Sequence, residues 1–342
     1  MKILVAGAAG FIGSNFVRHI MAKRPSVEVV VLDLLTYAGN LDNLADLIDD
    51  PRLTFLHADI CDRAAVTAAS AGVDAIVNFA AESHVDRSIM DAGPFVRTNV
   101  GGTQVLLDVV VEQRIPRFLQ ISTDEVYGSL PSTGQFTEAT PLAPNSPYSA
   151  SKAAADLLVR AYVHTHRAPA VILRSSNAYG PYQFPEKLIP LMIMNAFEGR
   201  PLPVYGDGLH VRDWIHVLDF CEGVLTVLEK GVDGEVYNLG GGAEVPNLQI
   251  VRRIIELAGA SESLIRHVPD RPGHDRRYAM DYSKIQRELG WTPQRKLEGA
   301  LVDTVQWYRE NQDWLDRVRS GAYREYYDRQ YGERLAAGRR SS

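Results

Sequence analysis

The chain carries only two cysteines, Cys61 and Cys221, in 342 residues. Two thiols cannot staple a polypeptide of this size, which excludes a disulfide framework and leaves a reducing compartment or plain packing as their setting. Neither has a Cys or His neighbour at metal-ligand spacing, so no metal is expected. Long hydrophobic runs are missing as well; none approaches the ~18 residues of a membrane span. Met1–Gly7 enters a strand directly, without the layout of a signal peptide, and a cytoplasmic protein is expected. No long basic run occurs, and 36 basic against 42 acidic residues give −6, which does not suggest a nucleic-acid surface. Internal repeats and low-complexity segments are also lacking. What remains, 46% hydrophobic and 23% charged residues, is the composition of a globular chain able to bury a substantial core.

The first half alternates short apolar runs with helical patterns. Ile3–Ala6, Val29–Leu32, Thr54–His57, Ala75–Asn78 and Phe118–Ser122 read as strands covered on both faces, with helix-like stretches such as Ile12–Lys23 and Val96–Gln113 between them. A helix over Tyr148–His166 and a strand over Ala170–Arg174 follow. This rhythm predicts an α/β fold: a Rossmann-type doubly wound parallel sheet with a smaller α/β C-terminal substrate lobe. Residues 1–180 form the expected dinucleotide-binding domain, with 206–240 returning to it through Val211–Val217 and Val236–Leu239. Prolines at 181, 185, 190, 201 and 203 break the rhythm, so 181–205 and 241–330 are assigned to the smaller lobe. Residues 331–342 read as a frayed tail.

Gly7-Ala-Ala-Gly10-Phe11-Ile12-Gly13 sits between the first strand and the first helix. Glycines there let the backbone turn tightly and approach a pyrophosphate facing the helix N-terminus. A glycine trio alone is weak evidence; the strand–turn–helix context makes it strong. Asp33 follows Gly13 by 20 residues, where a carboxylate accepts from a ribose diol and repels a 2′-phosphate, favouring NAD over NADP. Asp59 and Ile60 follow the third strand at the expected adenine edge, and Phe79-Ala80-Ala81-Glu82-Ser83 follows the fourth. Thr98 is a further candidate, although a helix-surface threonine often has no role.

Tyr148 and Lys152, four residues apart, share one helix face. The Lys152 ammonium and a nicotinamide are expected to lower the Tyr148 pKa toward the working range. Just upstream, Thr123-Asp124-Glu125 ends a strand with two adjacent carboxyls, which hydride transfer alone does not require. Such acids can cap a helix or sit in solvent. Beside a hydroxyl-orienting threonine they can instead be driven to different protonation states, giving the acid and the base that expulsion of water requires.

The stretches Leu35–Asn40, Ala80–Ser88, Ser122–Gly128, Ser146–Lys152, Pro185–Pro190, Arg212–Val217 and Asp270–Asp275 together resemble the extended short-chain dehydrogenase/reductase superfamily, and within it the dTDP-glucose 4,6-dehydratase family. The resemblance covers nearly the whole chain; Leu34 departs from it, standing where a lysine is frequent. It implies tightly bound NAD that is recycled in each turnover, and it extends the cofactor set to Phe11, Ile12, Leu34, Leu35, Thr36 and Asn177. It implies that Tyr148 takes the 4-hydroxyl proton, that Thr123 holds that hydroxyl and that Lys152 supports the phenolate. Glu125 then removes the C5 proton and Asp124 protonates the departing 6-hydroxyl. For the substrate dTDP-glucose it implies Ser83 and His84 near the hexose and Asn177, Lys187 and Arg212 near the diphosphate, with Leu188, Ile189 and Pro190 following Lys187. Pro203, Val204 and Tyr205 would flank the base, and Asn247, Asp270, Arg271, Pro272, Gly273 and His274 would close the far side. It also implies a homodimer, formed through Val96–Gln113 and Ser149–His166. A UDP-hexose 4-epimerase, a GDP-mannose dehydratase and a non-catalytic NAD-binding protein are the alternatives.

Overall fold

The computed structural model describes residues 1–319; the expected frayed tail lies outside the described residues. The strands are β1 Lys2–Ala6, β2 Glu28–Asp33, β3 Leu53–His57, β4 Ala75–Asn78, β5 Phe118–Thr123, β6 Ala170–Ser175, β7 Asn177–Tyr179, β8 Leu202–Tyr205, β9 Val211–His216, β10 Val236–Leu239, β11 Glu244–Pro246 and β12 Ile265–Val268. Seven form a parallel sheet in the order β10-β6-β5-β4-β1-β2-β3. Alternation along each strand feeds two cores. Ile3 and Val5 pack with the helices Phe11–Lys23 and Val217–Lys230, whereas Leu4 and Ala6 pack with Thr103–Gln113 and Pro147–His166. Burying each of Ile3, Leu4 and Val5 contributes about 1.5–3 kcal/mol. The strand order reverses between β1 and β4, which opens a crevice at their carboxyl ends.

A second core joins Trp214 of β9 to the helices Leu188–Phe197, Asn247–Ala258, Leu297–Glu310 and Gln312–Val318. Two small sheets border it, β11-β9-β7 and β12-β8. Three expectations change here. β10 does return to the main sheet, but Val211–His216 pairs with β7 and β11. Within the stretch assigned to the smaller lobe, Ile285, Leu289 and Trp291 pack into the main-sheet core. Val96–Gln113 is not one regular helix; a π-helical Val96–Gly102 leads into α-helix Thr103–Gln113, and Asn99 within the wide turn donates to Ser151 Oγ at 2.8 Å.

The start of Pro147–His166 is fixed chemically. Ser146 and Ser149 form a reciprocal capping box and Pro147 occupies the first turn. This sets Tyr148 and Lys152 at the carboxyl end of β5.

Candidate active site

Gly7 has φ +77°, and a Cβ there would meet the Ala80 amide nitrogen at 2.5 Å. A Cβ on Gly13 would meet the Gly7 carbonyl at 2.4 Å. Only glycine permits this approach of loop, helix and the segment after β4. Asp33 braces the loop, accepting from the Ala9 amide at 2.9 Å and the Leu35 amide at 2.8 Å. Burial holds its carboxyl above the usual range despite those two bonds.

A cavity of about 580 Å³ runs from this cradle to the end of β5. Its walls include Gly7, Gly10, Phe11, Ile12, Gly13, Asp33, Leu34 and Thr36 at one end, then Asp59, Ile60, Phe79, Ala80, Ala81, Ser83 and Thr98. Asn177, Thr123, Asp124, Glu125, Tyr148, Lys152 and Lys187 line the other end. The glycine cradle, the Asp33 carboxyl and a cleft lined continuously from Gly7 to Lys152 fit a dinucleotide. Leu35 departs from expectation: it lies outside the lining, at φ 52°, and its amide orients Asp33.

Lys152 Nζ donates to the Ile121 carbonyl at 2.6 Å, and burial pushes its pKa down to about 8. Tyr148 and Thr123 line the same end of the cavity. Tyr148 does not behave as expected on its own residues: burial, then Glu125, pushes its pKa upward, and Lys152 is turned toward Ile121. The acidic doublet is inside, as the turn Asp124–Tyr127 capped by Thr123 carries it into the cleft. Burial, Glu125 and Asp213 raise the Asp124 carboxyl well above its ordinary value. Its Oδ1 pairs with Thr123 at 3.2 Å, while Oδ2 has no partner among the described residues. Burial raises Glu125 too, but Arg271, Lys187 and Arg212 pull it back. Both carboxyls are thus held above their ordinary range, two acids acting on Asp124 and three cations opposing the rise at Glu125.

A second cavity of about 140 Å³ shares Glu125, Asn177, Glu186 and Lys187 with the first. His84, Leu188, Pro203, Tyr205, Arg212, Asn247, Arg271 and His274 complete the part expected from sequence. Arg212 is fixed by bonds from Nη1 to Val211 O and from Nη2 to Asp275 O, 2.8 and 2.9 Å, over the Tyr278 ring. Lys187 Nζ donates to the Ser83 carbonyl at 2.7 Å. Other expected residues lie off this lining: Ile189 and Val204 are packed in the smaller core, Pro190 is buried in its helix, and Asp270, Pro272 and Gly273 sit outside. Ser83 and Thr123 line only the larger cavity.

Sequence reasoning missed Glu186, Glu82 and Asp86. Glu186 faces both cavities, and Arg87 Nε donates to it at 3.3 Å. Tyr205 donates to Asp86 Oδ2 at 3.3 Å. An acid beside a lysine at Glu186-Lys187 reads as solvated surface, and nothing local signals its burial.

A parallel sheet with a dinucleotide cradle, a Tyr–Lys pair on one helix and an acidic doublet at the sugar end define an NAD-dependent enzyme of the extended short-chain dehydrogenase/reductase class. A family model described as GDP-mannose 4,6 dehydratase matches residues 4–304. A dTDP-glucose 4,6-dehydratase of Actinoplanes sp. is 51% identical over 319 residues, covering 92% of this chain and 99% of that protein. One from Xanthomonas campestris pv. campestris is 52% identical over 341 residues, covering 94% and 97%. The crystal structure of the Streptomyces venezuelae dTDP-glucose 4,6-dehydratase with NAD bound superposes with a TM-score of 0.91 at 52% identity, covering 93% of this chain and all of that one. The chain belongs to the GDP-mannose 4,6 dehydratase family, and within it to the dTDP-glucose 4,6-dehydratases.

Proposed function

We propose that this chain converts dTDP-glucose into dTDP-4-dehydro-6-deoxyglucose and water, with Thr123, Asp124, Glu125, Tyr148 and Lys152 as its catalytic residues. NAD held along the larger cavity supplies the hydride acceptor for C4 and the hydride donor for C6. Tyr148 Oη takes the 4-hydroxyl proton, with Thr123 orienting that hydroxyl. The resulting 4-ketone acidifies C5–H. Glu125, the doublet member surrounded by Arg271, Lys187 and Arg212, is the more readily ionised and removes that proton. Asp124, kept protonated by burial, Glu125 and Asp213, delivers its proton to the 6-hydroxyl as the C6–O bond breaks and water leaves. A proton then returns to C5, and net oxidation is zero. Lys187, Arg212 and Arg271 in the smaller cavity supply the cationic surroundings that a diphosphate requires.

The doublet, turned into the cleft with Asp124 buried, carries this reading. An epimerase moves a hydride off C4 and back to C4, and has no use for a paired acid and base at the next two carbons. The test is mass spectrometry of the product formed from dTDP-glucose, which must show loss of one water. Asp124→Asn with Glu125→Gln is expected to reduce water loss by about 10²–10⁴-fold, while C4 oxidation stays visible as reduced-nicotinamide absorbance. Dehydration at the parental rate in that variant removes the assigned roles.

Homodimer formation through Val96–Gln113 and Ser149–His166 is part of the same proposal. Val96 and Leu157 are more than half exposed on these segments, apolar side chains that a partner helix pair would cover. Sedimentation giving a single-chain mass would exclude it.

A further inference from the structure

Behind the nucleotide side of the smaller cavity lies a polar trio whose innermost member has no role in the scheme above. His210, the residue before β9, is buried at 4% exposure. Its ring stacks on that of His274, with centroids 3.7 Å apart and planes within 14°. Asp270 bridges the two: Oδ1 accepts from His274 Nδ1 at 2.6 Å, and Oδ2 lies 3.2 Å from His210 Nε2. The Arg271 amide adds a bond to Oδ1 at 2.8 Å. Of the two rings, only His274 lines the cavity. The His210 carbonyl also accepts the Asn247 amide at 2.9 Å, so one residue supports two parts of the wall.

His210, Asp270 and His274 have potential ligand atoms within 4.8 Å of one another. Imidazole nitrogens bind an ion in the ring plane, and two parallel rings this far apart cannot both aim at one ion between them. The geometry suits shared protons. An ionised carboxylate only accepts, so His274 Nδ1, hydrogen-bonded to Oδ1, carries its hydrogen, while His210 Nε2 meets Oδ2 as a close polar contact. His274 is thereby fixed as the Nδ1–H tautomer, with Nε2 left as the acceptor. Burial, then Arg271 and Arg212, keep that ring neutral.

We propose that His210 is a positioning residue for nucleotide binding: by stacking on His274 and holding Asp270, it fixes the tautomer whose Nε2 accepts a hydrogen bond from the nucleoside. This rests on reading the smaller cavity as the seat of the nucleotide. The donor is an N–H of the base or a hydroxyl of the sugar.

The experiment compares the parent with His210→Phe, which keeps a stacking ring and loses the polar nitrogen facing Asp270, and with His210→Gln, which keeps a polar group there. His210→Phe is expected to raise KM for dTDP-glucose about tenfold, the equivalent of one hydrogen bond at ~1.4 kcal/mol, with kcat within about twofold of the parent. His210→Gln should recover most of the loss. Nitrogen-15 shifts of the His274 imidazole should report one tautomer in the parent and a mixture in His210→Phe. Binding of dTDP, its N3-methyl analogue and its 3′-deoxy analogue to the parent then assigns the donor. Parental KM and tautomer in His210→Phe, a proportional fall of kcat and kcat/KM, or equal binding of all three nucleotides overturns the proposal. A parent that binds dTDP in the expected tautomer but does not dehydrate dTDP-glucose overturns the functional reading alone.

Discussion

Asp124 and Glu125 are separated by one peptide bond yet sit among different charges: Glu125 and Asp213 act on the first with Arg212 opposing, and Arg271, Lys187 and Arg212 act on the second with Asp275 opposing. A third acid, Glu186, extends the same logic. Its side chain is 1% exposed and burial lifts its pKa from 4.5 to about 7, against the opposing pull of Lys187 and Arg87. Between those values the folded chain keeps a proton that the unfolded chain releases, so stability falls as pH rises through the window. Linkage converts this into on the order of 3 kcal/mol. Glu186→Gln stays neutral throughout, so its thermal midpoint relative to the parent should rise between pH 5 and pH 8. A difference that stays flat with pH, followed by circular dichroism, would rule out a neutral-to-charged transition of Glu186 in the fold. Asp33, Tyr148 and Lys152 are legible in the sequence because each is placed by its distance from a strand end or helix start. Glu186 is not, because Arg87, which contacts it, lies 99 residues away and its burial follows from tertiary packing.

Two hydrogen bonds lock the helix Pro147–His166 onto the end of β5, Lys152 Nζ to Ile121 O and Ser122 Oγ to Asp156 Oδ2 at 3.0 Å. Asp156 also takes Arg174 Nε of β6 at 2.8 Å, with both side chains buried. Arg174 in turn donates to the Tyr127 hydroxyl at 3.0 Å, just beyond the acidic doublet. Removing one partner strands a buried charge, so Asp156→Leu should cost about 3–5 kcal/mol in a denaturant titration. Adding Arg174→Met should restore most of it. A double variant no more stable than the single one would contradict the ion-pair account. The strands of the main sheet are legible within a residue or two, because burial on both faces leaves near-continuous apolar runs. The exception is instructive. Val211–His216 also has strand character, but its partners β7 and β11 are three residues long, and a run of residues does not say which edge it will join.

At the scale of the whole molecule, the last helix among the described residues, Gln312–Val318, reaches back across the smaller core to the dinucleotide cradle. Trp314 Nε1 donates to Asn43 Oδ1 at 2.9 Å, and Asn43 Nδ2 donates to the Ala9 carbonyl at 2.8 Å. The Asn40 amide reaches the same carbonyl at 3.0 Å. Ala9 stands between Gly7 and Gly10, and its own amide binds Asp33. One side chain near the end of the described chain is thus two hydrogen bonds away from the loop that would meet the pyrophosphate. Trp314→Ala would mix this effect with a cavity costing about 3–5 kcal/mol. Trp314→Phe keeps an aromatic ring and deletes the donor. Asn43 Oδ1, buried, then lacks its partner and the amide can rotate away from Ala9. The expected outcome is a rise of about three- to tenfold in the NAD dissociation constant of the cofactor-free protein, roughly the cost of one hydrogen bond. KM for dTDP-glucose at saturating NAD should change little. If calorimetric titration returns the parental affinity, the helix Gln312–Val318 acts only as packing and the Asn43 amide holds Ala9 without help.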